Sequence, residues 1–282
     1  KKHDRSSRII ANKATELNTA QVLHGGLISP VGIELLLISD GVKTILAQSY
    51  WVQDIDAYAD RDQKRPKRDS RVGMLPPKLA QIIINLASAA HIPPDYGAQV
   101  LDPFCGTGVV LQEASLMGYD IVGSDLEPRM VEYSRENLLW LAGRNNNLTV
   151  HDPSGEYFGL EVADATTANF PIFNVIACET YLGRPFSHQP DPQVLREVIN
   201  DCNQIHKKFL QNVNRQTKPG FRMCIAVPAW STKSGFKHLP ILDSLEVLGY
   251  NRHKFVHVST KDLIYHRPDQ IVARELVVIT RK

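Results

Sequence analysis

Several things are scarce in this chain. Of 282 residues only four are cysteine (Cys105, Cys178, Cys202 and Cys224), and no two stand at C-x-x-C spacing. That argues against a zinc knuckle or a thioredoxin-type site, and unpatterned cysteine suits a reducing cytoplasm. Apolar stretches such as Ile33–Ile38 and Leu276–Ile279 fall far short of the roughly 20 residues that cross a bilayer, so no membrane partner is expected. No signal peptide, internal repeat or low-complexity tract is visible in these residues. The first residue is Lys1 rather than Met, from which we expect that a preceding segment has been removed. Histidines are scattered without ligand spacing, so no metal is expected.

What is present is ordinary for a globular chain. Hydrophobic residues make up 43% and charged residues 22%, with a formal net charge of +2. This excludes wholesale disorder and allows one large domain, or one domain with an appendage. The charge is unevenly spread. Residues 1–78 hold 13 Lys+Arg against 9 Asp+Glu, leaving 19 against 21 for the remainder. Arg61–Arg71 (RDQKRPKRDSR) holds six basic and two acidic residues. It reads either as a solvated linker or as an arm that contacts phosphates.

Periodicity divides the chain in two. Residues 32–38 and 44–52 read as two strands joined at Ser39-Asp40-Gly41, because Asp-Gly tolerates the positive φ of a tight turn. Together with the basic segment they form an N-terminal extension, residues 1–72, too small to be an independent domain. Residues 73–282 form the main domain. It opens with a helix over Lys78–Ala90 behind Pro76-Pro77. Strands then alternate with helices: strands at 99–102, 120–124, 160–162, 174–178, 221–227, 252–258 and 271–280, helices at 109–117, 128–142, 192–214 and near 239–248. This predicts an α/β fold, a doubly wound, mostly parallel, seven-stranded Rossmann-like sheet. Only Ser259–Gln270 separates the last two strands, too little for a helical crossover, so they are expected to pair antiparallel. The loop-rich stretch Gly143–Gly159 has room for an extra hairpin.

The most informative segment is Leu101-Asp102-Pro103-Phe104-Cys105-Gly106-Thr107-Gly108, which follows a buried strand and precedes a helix. Gly106 and Gly108 let backbone approach a ligand at a helix N-terminus. By itself a G-x-G turn is also compatible with a structural role. Leu111 takes the place of a third glycine, and Asp102 at the strand end would repel phosphate, which disfavours a dinucleotide. Asp125, with Glu127 as a nearby alternative, ends the second strand where a carboxylate can take both hydroxyls of a ribose. Asp164, followed by Ala165, ends the third strand, placed to accept from an exocyclic amine of adenine. Each acid could simply cap a turn or helix. Three in order beside a glycine turn describe a pocket for an adenosine carrying an amino acid tail, which is S-adenosylmethionine.

LDPFCGTG resembles the cofactor motif of class I methyltransferases that modify exocyclic amines. GMLPPKLAQIIINLA (73–87) and DLIYHRPDQIVARELVVITRK (262–282) extend the resemblance to the archaeal and eukaryotic tRNA guanosine-N2 methyltransferases, over about residues 30–282. In that family an N-terminal THUMP module grips the tRNA, and here it is expected to be missing or cut short. The resemblance implies that Asp102, Phe104, Gly106 and Gly108 surround the methionine part, Asp125 the ribose, and Asp164 with Ala165 the adenine. It places the catalytic motif after the strand 174–178. The family pattern there is Asp-Pro-Pro-Tyr-Gly; this chain has Glu179-Thr180-Tyr181-Leu182-Gly183, in which only Gly183 keeps its identity. Glu179 would accept an N–H of the target amine, the Thr180 carbonyl a second, and Tyr181 or Phe186 would stack on an extruded base. The implied partner is tRNA, held by Arg61, Lys64, Arg65, Lys67, Arg68, Arg71, Lys233 and Lys237. Three other readings stay open: a DNA amino-methyltransferase, a non-catalytic cofactor- and RNA-binding subunit that works with an activating partner protein, and a nucleotide-dependent oxidoreductase.

Overall fold

In a computed structural model, residues 8–69, 74–88, 97–145 and 159–282 are described. Contacts divide the chain into two units, Lys1–Lys64 and Arg65–Lys282.

In the smaller unit a six-residue helix, α1 (Thr19–His24), is closed by a capping box between Asn18 and Gln21, a local signal that apolar periodicity does not register. The expected hairpin follows as β1 (Leu35–Ser39) and β2 (Thr44–Gln48). Asp40 Oδ1 accepts from the backbone N–H groups of Val42 and Lys43, and Gly41 supplies φ +89°. Leu37, Ile45 and Leu46 remain exposed, since two strands alone cannot bury both of their faces. A further short helix, α2 (Ile55–Ala59), runs on into a π-helical turn, Asp60–Lys64.

The larger unit is built on a sheet of nine strands among the described residues. They are β3 (Gln99–Asp102), β4 (Asp120–Asp125), β5 (Leu160–Val162), β6 (Val175–Glu179), β7 (Arg222–Thr232), β8 (Gly235–Lys237), β9 (Tyr250–Arg252), β10 (Ile264–Tyr265) and β11 (Val272–Arg281). The path runs β10-β11-β7-β6-β3-β4-β5, with β8 paired to β7 and β9 to β11. β5, β4, β3, β6 and β7 are parallel neighbours, and β11 is antiparallel to β7. This is the expected mostly parallel sheet with an antiparallel last strand. The helices are α3 (Pro77–Ser88), α4 (Val109–Leu116), α5 (Pro128–Ala142) and α6 (Pro192–Gln216).

Strand alternation builds a core on each face. Val175 and Ala177 of β6 pack with Ile83 and Ile84 of α3 and Val110 of α4. Ile176 and Cys178 of the same strand pack with Val198, Phe209 and Leu210 of α6. α6 starts where Asp191 accepts from the Gln193 N–H and Pro192 takes the first helical position, a start that needs no N–H from the proline.

Two expectations are corrected. The segment near 239–248 is not an α-helix but a 3-10 turn, Pro240–Ser244. Its apolar spacing serves to bury Ile241, Leu242 and Leu245, while Asn203 of α6 accepts the Ile241 N–H that a helix start would leave free. The strand expected over 252–258 is only β9, Tyr250–Arg252. The edge of β11 is shared between β9 at Ile279–Arg281 and β10 at Arg274–Glu275. Most of the loop Gly143–Gly159, and the hairpin expected in it, lies outside the described residues.

Candidate active site

The parallel strands β3, β4, β5 and β6 end on one edge of the sheet, which collects the residues singled out in the sequence. At the end of β3, Asp102 is 2% exposed, and its Oδ1 accepts from the Phe104 N–H at 3.1 Å. No cation pairs with it among the described residues. Burial pushes its carboxyl well above the usual carboxylate range, and the nearby Asp125 and Glu179 push the same way. A buried acid without a cation is a costly arrangement that a cationic ligand relieves.

The turn that follows is tied to its surroundings at every step. The Gly106 N–H donates to Asp125 Oδ2 at 2.9 Å, and the Ser134 hydroxyl donates to the Gly106 carbonyl at 2.8 Å. Gly108 sits at φ +79° as the residue before α4. A Cβ there would lie 2.9 Å from Ser134 Oγ and 3.1 Å from its Cα, so the position is restricted to glycine both by backbone conformation and by the approach of α5. The Phe104 ring packs edge-on to Phe209, 5.0 Å between centroids.

Asp125 ends β4. Its Oδ1 accepts from the Glu127 N–H at 3.0 Å, and burial raises its carboxyl above the ordinary value. Beside it, Ser124 Oγ is enclosed and has no hydrogen-bond partner among the described residues. Asp164 follows β5 and accepts from the Thr166 N–H at 2.8 Å. Ala165 is buried, and its carbonyl accepts from Asn212 Nδ2 at 3.0 Å. All three acids therefore serve local turns and also converge on one sheet edge.

Glu179 ends β6, and Arg274 of β11 donates from Nε to its Oε1. The next residue, Thr180, is turned inward. Its N–H and hydroxyl both lie within hydrogen-bond distance of the Ala226 carbonyl, at 3.0 and 2.9 Å, and the hydroxyl lies 2.6 Å from His206 Nε2. Burial drives His206 down to about 4, so at neutral pH the ring is uncharged. Nδ1–H then donates to the Cys202 carbonyl at 2.6 Å, and Nε2 accepts from Thr180. Thr180 thus anchors the loop to α6. Tyr181 is 44% exposed. Gly183 has φ +82°, and a Cβ there would lie 2.9 Å from Val198 Cγ1 and 3.0 Å from Cys202 Sγ. A cavity of about 120 Å³ lies between this loop and α6, lined by Tyr181, Gly183, Glu197 and Asp201 among others.

A family model described as "Methyltransferase domain" matches residues 94–261, the span that carries this edge. The chain belongs to that family. A second model, described as "DNA methylase", matches residues 42–136. The methyltransferase is 29% identical over 276 residues to a tRNA (guanine(10)-N2)-dimethyltransferase of Pyrococcus abyssi, covering 91% of this chain and 71% of that one. Over 66 residues it is 50% identical to the protein of the same name from Methanothermobacter thermautotrophicus, 23% of this chain and 18% of that one. The matched stretch thus spans less than a fifth of the latter relative. Among solved structures, TrmN from Thermus thermophilus superposes with TM-score 0.50 at 19% identity, covering 89% of this chain and 60% of that one, a likeness in fold.

The basic residues of the methyltransferase are not equivalent. Arg65 is 3% exposed, so it belongs to the packing and not to the outer charge expected of it. Lys67 pairs with Glu136 at 3.1 Å and lies 5.2 Å from the Tyr133 ring centroid. Lys64 pairs with Asp60 at 2.6 Å. Arg68, Lys233 and Lys237 are exposed, and Arg71 lies outside the described residues. Sequence reasoning missed Asn137, whose Nδ2 donates to the carbonyls of Thr107 (2.8 Å) and Lys67 (2.9 Å), while its Oδ1 accepts from the Lys67 N–H at 2.9 Å. A polar residue on the apolar stripe of α5 was the available signal. Asp125→Ala removes the acceptor of the Gly106 N–H in the glycine turn, and with it the carboxylate expected to meet the ribose. We expect it to weaken S-adenosylmethionine binding about 10- to 100-fold by calorimetry; an unchanged dissociation constant would remove Asp125 from the site.

Proposed function

We propose that this chain transfers a methyl group from S-adenosylmethionine to an exocyclic amine of a base in RNA, with guanosine N2 of tRNA as the target. The observation that carries the reading is the convergence of Asp102, Asp125, Asp164 and the Gly106–Gly108 turn on the sheet edge where Glu179 emerges. The names of the aligned relatives support the choice of tRNA and of N2. When bound, S-adenosylmethionine supplies a methyl group on a sulfonium, open to in-line attack.

The donor set fits that cofactor. Asp102 would meet the ammonium group, which removes the cost of its burial. Asp125 would meet the ribose, and Asp164 with Ala165 the adenine. At the reacting end, Glu179 accepts an N–H of the amine and orients its lone pair toward the methyl. Orientation counts for more than basicity here, because the attacking nitrogen is an arylamine and the cation it becomes is acidic. Thr180, fixed through Ala226 and His206, holds the loop that offers Glu179 and Tyr181. Tyr181, exposed beside it, gives a surface on which an extruded base can stack. Exposed Arg68, Lys233 and Lys237 contribute positive charge for the phosphates. The place of action is the cytoplasm, where four free thiols are at home.

The test is tritium transfer from labelled S-adenosylmethionine to unmodified tRNA and to DNA, followed by nucleoside digestion. We expect label in N2-methylguanosine. Label in DNA adenine or cytosine would replace the substrate by the one that the DNA methylase match suggests. Binding of both cofactor and tRNA without transfer would make the chain a subunit that needs an activating partner protein.

A further inference from the structure

One buried ion pair at this edge joins two residues 95 positions apart. Arg274 lies in β11 opposite Pro228 of β7 and Tyr265 of β10, and it is 4% exposed. Its neighbour Glu275 could not serve as its partner, because successive residues of a strand face opposite sides of the sheet. Glu275 instead turns to the other face, where it takes Arg252 at 2.7 Å and His238. Arg274 is left on the face that carries Glu179.

The contact is one-sided. Arg274 Nε donates to Glu179 Oε1, and Oε2 of Glu179 has no hydrogen bond among the described residues. We propose that Arg274 is a positioning residue for methyl transfer: it pins one oxygen of Glu179 and leaves the other as the single acceptor offered to the target amine. This rests on the reading that Glu179 meets that amine. It also accounts for a glutamate at this position, since the added methylene lets the carboxylate reach β11.

The charge of Arg274 has a second effect. Burial raises the Glu179 carboxyl above its ordinary value, and Arg274 draws it back down. Glu179 in turn helps to raise Asp102 of β3, itself pushed up mainly by burial; the adjacent Cys178 is a neutral thiol, raised by burial. Without Arg274 the carboxyl of Glu179 rises further. A protonated Glu179 can no longer accept through both oxygens, so the acid side of the pH–rate profile moves to higher pH.

The experiment has two arms. In the first, carbon-13 NMR of glutamate-labelled protein follows Glu179 through a pH titration, its signal identified with Glu179→Gln. Arg274→Gln is expected to raise the Glu179 midpoint by about one unit or more, the range seen when one close opposite charge is removed. In the second, kcat/KM for methyl transfer to a tRNA transcript is measured across pH. Arg274→Gln is expected to shift the acid limb upward by a similar amount with KM for S-adenosylmethionine unchanged. Arg274→Lys, which keeps the charge with less packing change, is expected to restore the limb but not the full kcat. An unmoved midpoint, or a loss of rate uniform across pH, overturns the proposal. Should Arg274→Gln not fold, Glu179→Asp withdraws the carboxylate from the other side: in that background Arg274→Lys should have little further effect, and full additivity overturns the proposal. A wild-type protein that methylates no RNA counts against the proposed function, while the titration still decides whether Arg274 controls Glu179.

Discussion

Glu179→Ala is expected to lower kcat for methyl transfer about 100- to 1,000-fold, the usual cost of removing one preorganised polar group at a reacting centre. Binding of S-adenosylmethionine should change little, because the contacts proposed for it lie with Asp102, Asp125 and Asp164 on neighbouring strands. The side chain also carries the charge that faces Arg274. Removing it leaves a guanidinium at 4% exposure without its partner, so some loss of stability accompanies the loss of rate. Glu179→Gln separates the two effects: it keeps the volume and an acceptor oxygen but not the charge. We expect the glutamine variant to recover much of the thermal stability and only part of the rate. The measurement is single-turnover methyl transfer beside thermal unfolding. Undiminished transfer by the alanine variant would remove Glu179 from the mechanism.

Asn137→Ala is expected to have the largest effect on stability. The side chain is fully buried and makes three hydrogen bonds, to Thr107 in the glycine turn and to both backbone groups of Lys67. Alanine leaves those groups without their side-chain partner. Water can reach Lys67, which is partly exposed, and cannot readily replace the bond to Thr107. The cost is about 3 kcal/mol, which for a unit of this size lowers Tm by about 6–12 °C. Because Thr107 stands between Gly106 and Gly108, cofactor affinity should fall as well. Differential scanning calorimetry with and without S-adenosylmethionine measures both, and a shift under about 2 °C would contradict the argument.

The segment 65–69 shows why composition misjudges some places. Its charge density reads as a solvated linker, with Pro66 excluding a regular element. Yet Lys67 is held by Asn137 and Glu136, and Asp69 by Arg129 at 3.2 Å. All three partners lie on α5, some 60 to 70 residues later. Nothing within the segment announces them.

Elsewhere local signals were enough. Pro128–Ala142, Gln99–Asp102 and Leu160–Val162 were read with the bounds they have in the structure. A proline at the helix start, apolar positions at helical spacing and short buried strands act within a few residues, so the order of elements and the strand-end placement of Asp102, Asp125 and Glu179 follow from the chain itself. The run 239–248 marks the limit: its apolar spacing is helical, but the choice between α and 3-10 fell to Asn203 on another helix.

The amino-acid sequence by itself determined the alternation of strands and helices, the glycine turn, and the acids that end successive strands, because each depends on near neighbours. Only the tertiary structure decided which of these residues meet. It turned Thr180 inward onto His206, enclosed Arg65, and brought Arg274 across β7 to Glu179. Those pairings depend on sheet order and on which face a strand residue takes, and both are settled only when distant segments compete for the same buried space.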